Sequence, residues 1–485
     1  MVGANSTNVK FGTDGWRGII AKDFTFENVG IVAQALADYI NAGSRQQAVG
    51  SRKAISLHST PYALYPVVIV GYDYRFLSEK FALKVARVLI GSGVKAAVSK
   101  TAVTSPSISL YCKQNNAYGI MITASHNPPD WNGIKIKLQY GGSVSEKVIN
   151  DVSSFLGKGV VKNYSGEIPR KDVLPAYKKY LKSLINIKTA PRLKIVVDPM
   201  NGSGCGIFES LLENNVFSVR SIRDPLFSGF NPEPIEQNLG ILKKEILKVK
   251  AAVGFAFDGD ADRLGLVDDR GRYLPPHIVF PLILLYLVES KKLKGKVVQA
   301  ISLGYLSERI AKKYSLPFEE VPVGFKYICQ KMLEGDVLLG GEESGGYGWK
   351  GTIPERDGIL NALLIYEMLS KTGKKLSFLV EDMQKRFGKS SFLRRDIKLS
   401  APVNKDDFTE FVRNHIKSLR KVREVRTYDG IKIIFADDRW LLMRPSGTEP
   451  VLRTYSETPS LKDTQGLLDF AEKICFNLLK VGSGK

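Results

Sequence analysis

The chain has 485 residues, 44% of them hydrophobic and 25% charged, a composition that suits a globular protein of about three or four domains. Its four cysteines (Cys112, Cys205, Cys329, Cys475) form no CxxC pair, which argues against a zinc centre or a disulfide framework and fits a reducing compartment. The formal charge is +21, but no five basic residues are consecutive, and Lys and Arg recur in pairs, as in the Lys178-Lys179 of an apparent helix. This pattern reads as solvated helix faces rather than a nucleic-acid surface, and a positive field also attracts small phosphorylated molecules.

In chain order, the N-terminal MVGANSTNVKFG lacks the basic, apolar and small-residue pattern of a signal peptide, so a cytoplasmic protein is expected. The Gly- and Ser-containing stretch Ala42–Leu57 reads as a loop. Val67–Val70 before Gly71-Tyr72-Asp73 reads as a strand running into a polar turn. The same reading holds for Ile195–Val197 before Asp198-Pro199-Met200-Asn201-Gly202, and for Val297–Ala300 before Ile301-Ser302-Leu303-Gly304. Strands that alternate with helical patterns imply α/β units, in three blocks starting near residues 10, 190 and 296. Ile278–Val288 falls far short of the roughly 20 apolar residues of a membrane span and contains Pro281, so it is expected to be a buried helix. After a boundary near residue 398, Val425–Tyr428 and Ile431–Ile434 flank Asp429-Gly430, a hairpin signal. A last helix carries Leu467, Leu468, Ala471, Ile474, Cys475 and Leu478 on one stripe, completing a small α+β domain.

Four loops carry chemistry. In ITASHNPPDWNGIKI, residues 122–136, Ser125 sits on a turn stiffened by Pro128 and Pro129, as a nucleophile held in line with its target requires. The second loop, Phe257-Asp258-Gly259-Asp260-Ala261-Asp262-Arg263, has alternating carboxylates that converge on one hard cation, magnesium being the best match. It is not an EF-hand, because Arg263 and Asp269 stand where that motif needs Gly and Glu. Arg444-Pro445-Ser446-Gly447-Thr448, with Arg453, suits a phosphate cradle of Arg, hydroxyls and backbone. Gly341-Glu342-Glu343-Ser344-Gly345-Gly346 suits the recognition of hydroxyl groups. A serine hydrolase needs a histidine base held by an acid, but His126 is adjacent to Ser125, and the other histidines are His58, His277 and His415. A polyol phosphate, a metal and a serine together describe phosphoryl transfer.

The segments Phe11-Gly12-Thr13-Asp14-Gly15-Trp16-Arg17-Gly18, Thr123-Ala124-Ser125-His126-Asn127-Pro128 and Asp258-Gly259-Asp260-Ala261-Asp262-Arg263, in this order and followed by the Arg444–Pro450 loop, resemble the α-D-phosphohexomutase superfamily of phosphoglucomutases and phosphomannomutases. The resemblance implies three related α/β domains plus a C-terminal α+β domain around a central active-site cleft. The expected boundaries are 1–188, 189–295, 296–397 and 398–485. It further implies that Ser125 carries a phosphoryl group, gives it to the sugar phosphate, and recovers the other phosphate of a bisphosphorylated hexose. By the same resemblance Asp258, Asp260 and Asp262 bind one Mg2+ with a phosphoserine oxygen, and Arg17 and Arg263 stabilise the transferring phosphate. Lys135 becomes the candidate general acid/base, its pKa expected to be lowered in a cation-rich, partly dry site.

Glu342 and Ser344 match residues that read sugar hydroxyls, Gly324 lies in the resembling Pro322–Lys326 loop, and Arg356 fits a substrate-phosphate contact. Arg444, Ser446, Gly447, Thr448 and Arg453 would hold the phosphate that is not transferred. Phosphoglucosamine mutases and many dual enzymes have His where this chain has Gly346, and strict phosphoglucomutases often have an aromatic residue at Gly345. The Gly-Glu-Glu-Ser core leans toward glucose, with glucose 1,6-bisphosphate as activator and mannose as the alternative sugar. The expected partner is a hexose phosphate, with no nucleic acid, no membrane, and a monomer or weak homodimer.

Overall fold

A computed structural model describes residues 9–12, 15–51, 67–186, 193–212, 215–400, 403–416, 421–446 and 450–482, apart from the side chains of 44–51 and 477–482. The chain divides into two compact units: Met1–Tyr273 with Cys329–Gly335 and Gly345–Leu376, and Leu274–Ile328 with Asp336–Ser344 and Ser377–Lys485.

The first unit holds two sheets. In one, the order of strands is Gly15–Ile19, Trp131–Lys137, Tyr118–Ile122, Val67–Tyr72, Lys95–Ser99 and Arg170–Lys171. Val67–Tyr72 is parallel to both of its neighbours and buried along nearly its whole length, as expected for an uninterrupted Val/Ile run covered on both faces. Helix Ser78–Gly91 turns Phe81, Val85 and Leu89 into this core. Helix Ser105–Asn115 starts at Thr104, whose hydroxyl accepts from the amide of Ser107, with Pro106 in its first turn. The antiparallel strands Gly15–Ile19 and Trp131–Lys137 place Arg17 opposite Gly133.

The second sheet joins Val216–Ser218, Ile195–Asp198 and Val253–Phe257 in parallel and adds Leu264–Asp268 antiparallel to the last. The acidic 258–263 loop therefore connects two adjacent, fully buried strands.

Helix Gly358–Thr372 is capped by Asp357, whose carboxylate accepts from the amide of Leu360 at 2.9 Å and from the Tyr177 hydroxyl at 2.8 Å. Burial pushes the Asp357 carboxyl up to about 7. A raised carboxyl favours the folded state below its unfolded value, near 3.8, and that contribution is lost as pH climbs to about 7. Asp357→Asn keeps the cap without the titration. Relative to the native chain, it should gain up to about 3 kcal/mol between pH 5 and pH 8. Thermal unfolding at the two pH values checks this; a difference that is the same at both refutes it.

In the second unit, strands Phe318–Val321, Lys296–Ala300 and Val337–Gly341 run parallel. Helix Pro276–Glu289 is buried from His277 to Leu287 and includes Pro281, as the sequence predicts. No helix among the described residues is long and apolar enough to cross a membrane.

The C-terminal sheet is antiparallel throughout, in the order Ser391–Lys398, Val451–Thr458, Trp440–Pro445, Ile431–Phe435 and Val422–Arg426. The hairpin lies where it was expected, with Thr427 and Tyr428 in the connection rather than in the strand. Leu468, Ala471, Ile474 and Cys475 of helix Leu461–Gly482 bury against the sheet, with Leu467 packed at the edge. Leu478 lies beyond the described side chains. Buried Glu457 accepts from the Tyr305 amide at 2.9 Å and the Trp440 indole at 2.8 Å, tying this sheet to the start of helix Tyr305–Lys313.

One expectation is corrected. Ala42–Leu57 is not a loop over its first part: helix Phe26–Ser51 continues through it, and residues 52–57 lie outside the described residues. A helix already nucleated on the buried stripe Val29, Val32, Ala33, Leu36 and Ile40 absorbs the roughly 1 kcal/mol cost of Gly43 as it propagates.

Candidate active site

In the first unit, Ser125 follows strand Tyr118–Ile122 and adopts φ 54°, in the left-handed region. Its amide donates to the Thr123 hydroxyl at 2.9 Å, and Oγ donates to Asp258 Oδ2 at 2.5 Å. The two loops meet closely: a Cβ on Gly259 would lie 2.5 Å from the Ser125 carbonyl oxygen, so only glycine fits there.

Asp258, Asp260 and Asp262 are buried, with ligand atoms all within 4.8 Å of one another. Lys135 Nζ lies between two of them, 2.5 Å from Asp260 Oδ2 and 2.9 Å from Asp262 Oδ2. Ser105 Oγ also donates to Asp260 Oδ2, and Arg356 Nη2 reaches Asp262 Oδ2 at 2.8 Å. The other oxygens, Asp260 Oδ1 and Asp262 Oδ1, are buried without a hydrogen-bond partner among the described residues. A buried carboxylate oxygen left in that state is costly unless a cation takes it, so the donor set fits a hard divalent ion.

The electrostatics agree. Burial, reinforced by Asp262 and Asp260, pushes the Asp258 carboxyl well above its usual range. For Asp262 burial acts upward too, but Arg356, Lys135 and Arg263 outweigh it and hold the carboxyl well below that range. The triad thus repels itself at one corner and is neutralised at another, and a cation would relieve the first.

The expected lowering of Lys135 is not what the site produces. Burial does push its pKa down, but Asp260 and Asp262 more than reverse this and hold the ammonium form above its ordinary value. The neighbouring cations were legible in the sequence; the closer approach of the two carboxylates was not. Burial, with Arg263 and Arg17 nearby, keeps His126 neutral, its pKa well below the usual imidazole value.

Arg17 Nη1 donates to Asn127 Oδ1 at 2.6 Å, beside Ser125. Arg263 donates its amide to Asp258 Oδ1 at 3.1 Å, and its Nε lies 3.9 Å from both Asp258 and Asp262. Arg356, expected on a substrate phosphate, is engaged with Asp262 and lies against Gly346, where a Cβ would come within 2.2 Å of its Cδ. Arg75, which the sequence reading missed, donates to the carbonyls of Ser125, Asn127, Pro128 and Trp131.

In the second unit, Ser344 Oγ donates to Glu342 Oε1 at 2.6 Å. Ser302 donates to Glu343, whose pKa is raised by burial and by Glu342. Arg444 and Arg453 are direct cross-strand partners. Like charges in that position repel, and Asp429 offsets part of that repulsion at Arg444. The Ser446 amide closes the loop on the Val451 carbonyl at 2.8 Å. Gly447 and Thr448 lie outside the described residues. Asp429, also missed, accepts from Arg444 Nε at 2.8 Å and from the amide of Val323, next to Gly324, at 2.9 Å.

Four family profiles match along the chain. They are the phosphoglucomutase/phosphomannomutase alpha/beta/alpha domain I over residues 53–159, domain II over 175–271, domain III over 275–387, and the C-terminal domain over 403–473. A phosphoglucomutase/phosphomannomutase of Thermococcus kodakarensis is 29% identical over 97% of this chain and 99% of its own. A phosphoglucosamine mutase of Methanococcus vannielii is 30% identical over 80% of this chain and 87% of its own. The crystal structure of a protein described as a phosphomannomutase from Thermus thermophilus superposes with a TM-score of 0.80 at 29% identity, covering 96% of this chain and 98% of that one. With three α/β/α domains, a C-terminal domain and the serine and aspartate loops in their order, the chain belongs to the phosphoglucomutase/phosphomannomutase family of the α-D-phosphohexomutase superfamily.

Proposed function

We propose that the enzyme interconverts glucose 1-phosphate and glucose 6-phosphate through a phosphoserine at Ser125 and a glucose 1,6-bisphosphate intermediate. The observation that carries this reading is the 2.5 Å contact of Ser125 Oγ with Asp258, inside a buried triad with two carboxylate oxygens that have no hydrogen-bond partner among the described residues. In the forward half-reaction, the sugar hydroxyl oxygen bonds to phosphorus as the P–Oγ bond to Ser125 breaks. In the return, Ser125 Oγ bonds to the phosphorus of the other phosphoryl group as that group's bond to the sugar oxygen breaks, and the sugar oxygen takes a proton.

Asp258, Asp260 and Asp262 would hold magnesium, which when bound supplies positive charge to the transferring phosphoryl and draws the carboxylates' charge away from Lys135. Lys135, held as an ammonium by Asp260 and Asp262, is then placed to give a proton to the departing oxygen and to take one back from the incoming hydroxyl. Arg17 and Arg263 stand beside Ser125 and Asp258, where charge is greatest during transfer. Arg356, as the counter-ion of Asp262, keeps that carboxylate charged, and it is also the cation expected at a substrate phosphate.

Glu342, Ser344 and Gly324 are assigned to the sugar hydroxyls, and Arg444, Ser446, Gly447, Thr448 and Arg453 to the phosphate that stays behind. Because the intermediate is gripped in both orientations, Arg444→Ala should raise KM about tenfold for either isomer and leave kcat much less changed. Glu342→Ala should change the glucose-to-mannose ratio of kcat/KM by roughly tenfold.

A phosphoglucosamine mutase is the second reading, favoured by the name of the Methanococcus vannielii relative. Gly346 argues against it, because the histidine that those enzymes carry there would displace Arg356 from its place beside Asp262. A coupled assay with glucose 1-phosphate, mannose 1-phosphate and glucosamine 1-phosphate decides, glucose 1-phosphate being expected to turn over fastest. Faster turnover of either of the other two overturns the glucose assignment.

A further inference from the structure

Arg75 is 1% exposed and lies beneath the serine loop, yet it belongs to the loop that follows a different strand, Val67–Tyr72. Its Nη2 donates to the carbonyls of Ser125 and Asn127, both at 2.7 Å. Its Nη1 donates to those of Pro128 at 2.7 Å and Trp131 at 3.0 Å. Asp73 Oδ2 lies 3.3 Å from Nε, and Asp73 Oδ1 is fixed by the Arg75 amide and by Ser78 Oγ.

The guanidinium carbon lies over the Phe227 ring, 4.9 Å from its centroid. Phe227 comes from the turn 224–230, where Phe227 and Ser228 both take positive φ, at 52° and 58°, and Asp224 accepts from the amides of Leu226 and Ser228. Two segments remote in sequence thus hold one buried cation against four carbonyls of a single loop.

A guanidinium suits this task because its donors diverge in a plane and reach acceptors spread over seven residues, whereas an ammonium presents all its donors from one atom. A buried cation is costly to desolvate, and here four carbonyls and one carboxylate offset that cost. Prolines 128 and 129 stiffen the loop locally but do not fix where Ser125 points relative to Asp258.

We propose that Arg75, capped by Phe227, is a positioning residue that clamps the backbone of the serine loop, fixing the line of phosphoryl transfer and denying water the same line. This rests on the reading of Ser125 as the phosphoryl carrier. When the clamp is loosened, water competes with sugar: a water oxygen bonds to phosphorus, the P–Oγ bond breaks, Ser125 Oγ takes a proton, and inorganic phosphate leaves.

The test uses the full chain, phosphorylated with glucose 1,6-bisphosphate, as the native protein and as the Arg75→Lys, Phe227→Leu and Ser125→Ala variants. For Arg75→Lys, kcat should fall about 10²-fold with KM within about threefold of native, as expected when a reacting group is misplaced rather than unbound. Inorganic phosphate released per mutase turnover should rise by at least about tenfold. Phe227→Leu leaves the hydrogen bonds in place and should give a smaller rise in the same ratio, so it serves if Arg75→Lys does not fold. A lower melting temperature with an unchanged phosphate-to-turnover ratio overturns the clamp and leaves Arg75 merely structural. Ser125→Ala separates the two failures: native turnover in that variant overturns the carrier itself, whereas its inactivity beside a native ratio in Arg75→Lys and Phe227→Leu overturns only the clamp.

Discussion

Ser125→Ala is expected to cut mutase turnover by at least about 10³-fold while leaving the fold in place, because it removes the atom proposed to carry the phosphoryl group. The structural cost is small. Ser125 already occupies a left-handed conformation at φ 54°, so alanine adds little strain, and the loop backbone remains tied to Arg75. What is lost is the Oγ that meets Asp258 at 2.5 Å, the contact that brings the serine loop onto the acidic triad. Intact-mass measurement gives an independent check: native protein incubated with glucose 1,6-bisphosphate should gain one phosphate, and Ser125→Ala should gain none. A phosphate adduct that persists in Ser125→Ala, or turnover near the native rate, removes Ser125 from the reaction.

The parts of this site that were legible in the sequence are those whose chemistry is compressed into a few adjacent residues. Asp258, Asp260 and Asp262 suggest a cation site because carboxylates crowded into a tight turn repel unless a cation neutralises them, and the structure brings all three together. Arg75 and Asp429 were not legible for the opposite reason. Arg75 acts on backbone carbonyls 50 to 56 residues away, and carbonyls leave no mark in a sequence. Asp429 reads as a hairpin residue, which it is; that its carboxylate also holds Arg444 and the Val323 amide depends on strand register and a distant loop. The protonation of Lys135 was misjudged by the same mechanism. Arg17 and Arg263 suggested a cationic environment, but a pKa follows distance, and Asp260 and Asp262 are in direct contact with the amine. Elements were easier to read than these contacts, because buried strands such as Val67–Tyr72 and a buried helix such as Pro276–Glu289 declare themselves by unbroken apolar runs. The helix Phe26–Ser51 outran its expected end because its glycine and serine residues weaken a helix without stopping one already packed.

Asp260→Asn should separate the metal reading from the rest of the mechanism. Asp260 presents Oδ2 to Lys135 at 2.5 Å and to Ser105, while its Oδ1 is buried and unpartnered among the described residues. Asparagine can still accept from Ser105 through its amide oxygen, so the change is close to isosteric and acts chiefly on charge. It removes one of the three negative charges that would hold a divalent ion and one of the two that hold Lys135 as an ammonium. Magnesium affinity should fall by at least about tenfold, and turnover at fixed magnesium by roughly 10²-fold. A readout independent of activity follows from mass action: a ligand that binds only the folded chain raises its melting temperature, so millimolar magnesium added after dialysis against chelator should stabilise the native protein, and Asp260→Asn distinctly less. The native enzyme should also lose activity in excess chelator and recover it when magnesium is restored. Equal magnesium-induced shifts in the two proteins, together with full native activity in chelator, would show that the triad holds no ion and that its charge serves Lys135 and Ser125 alone.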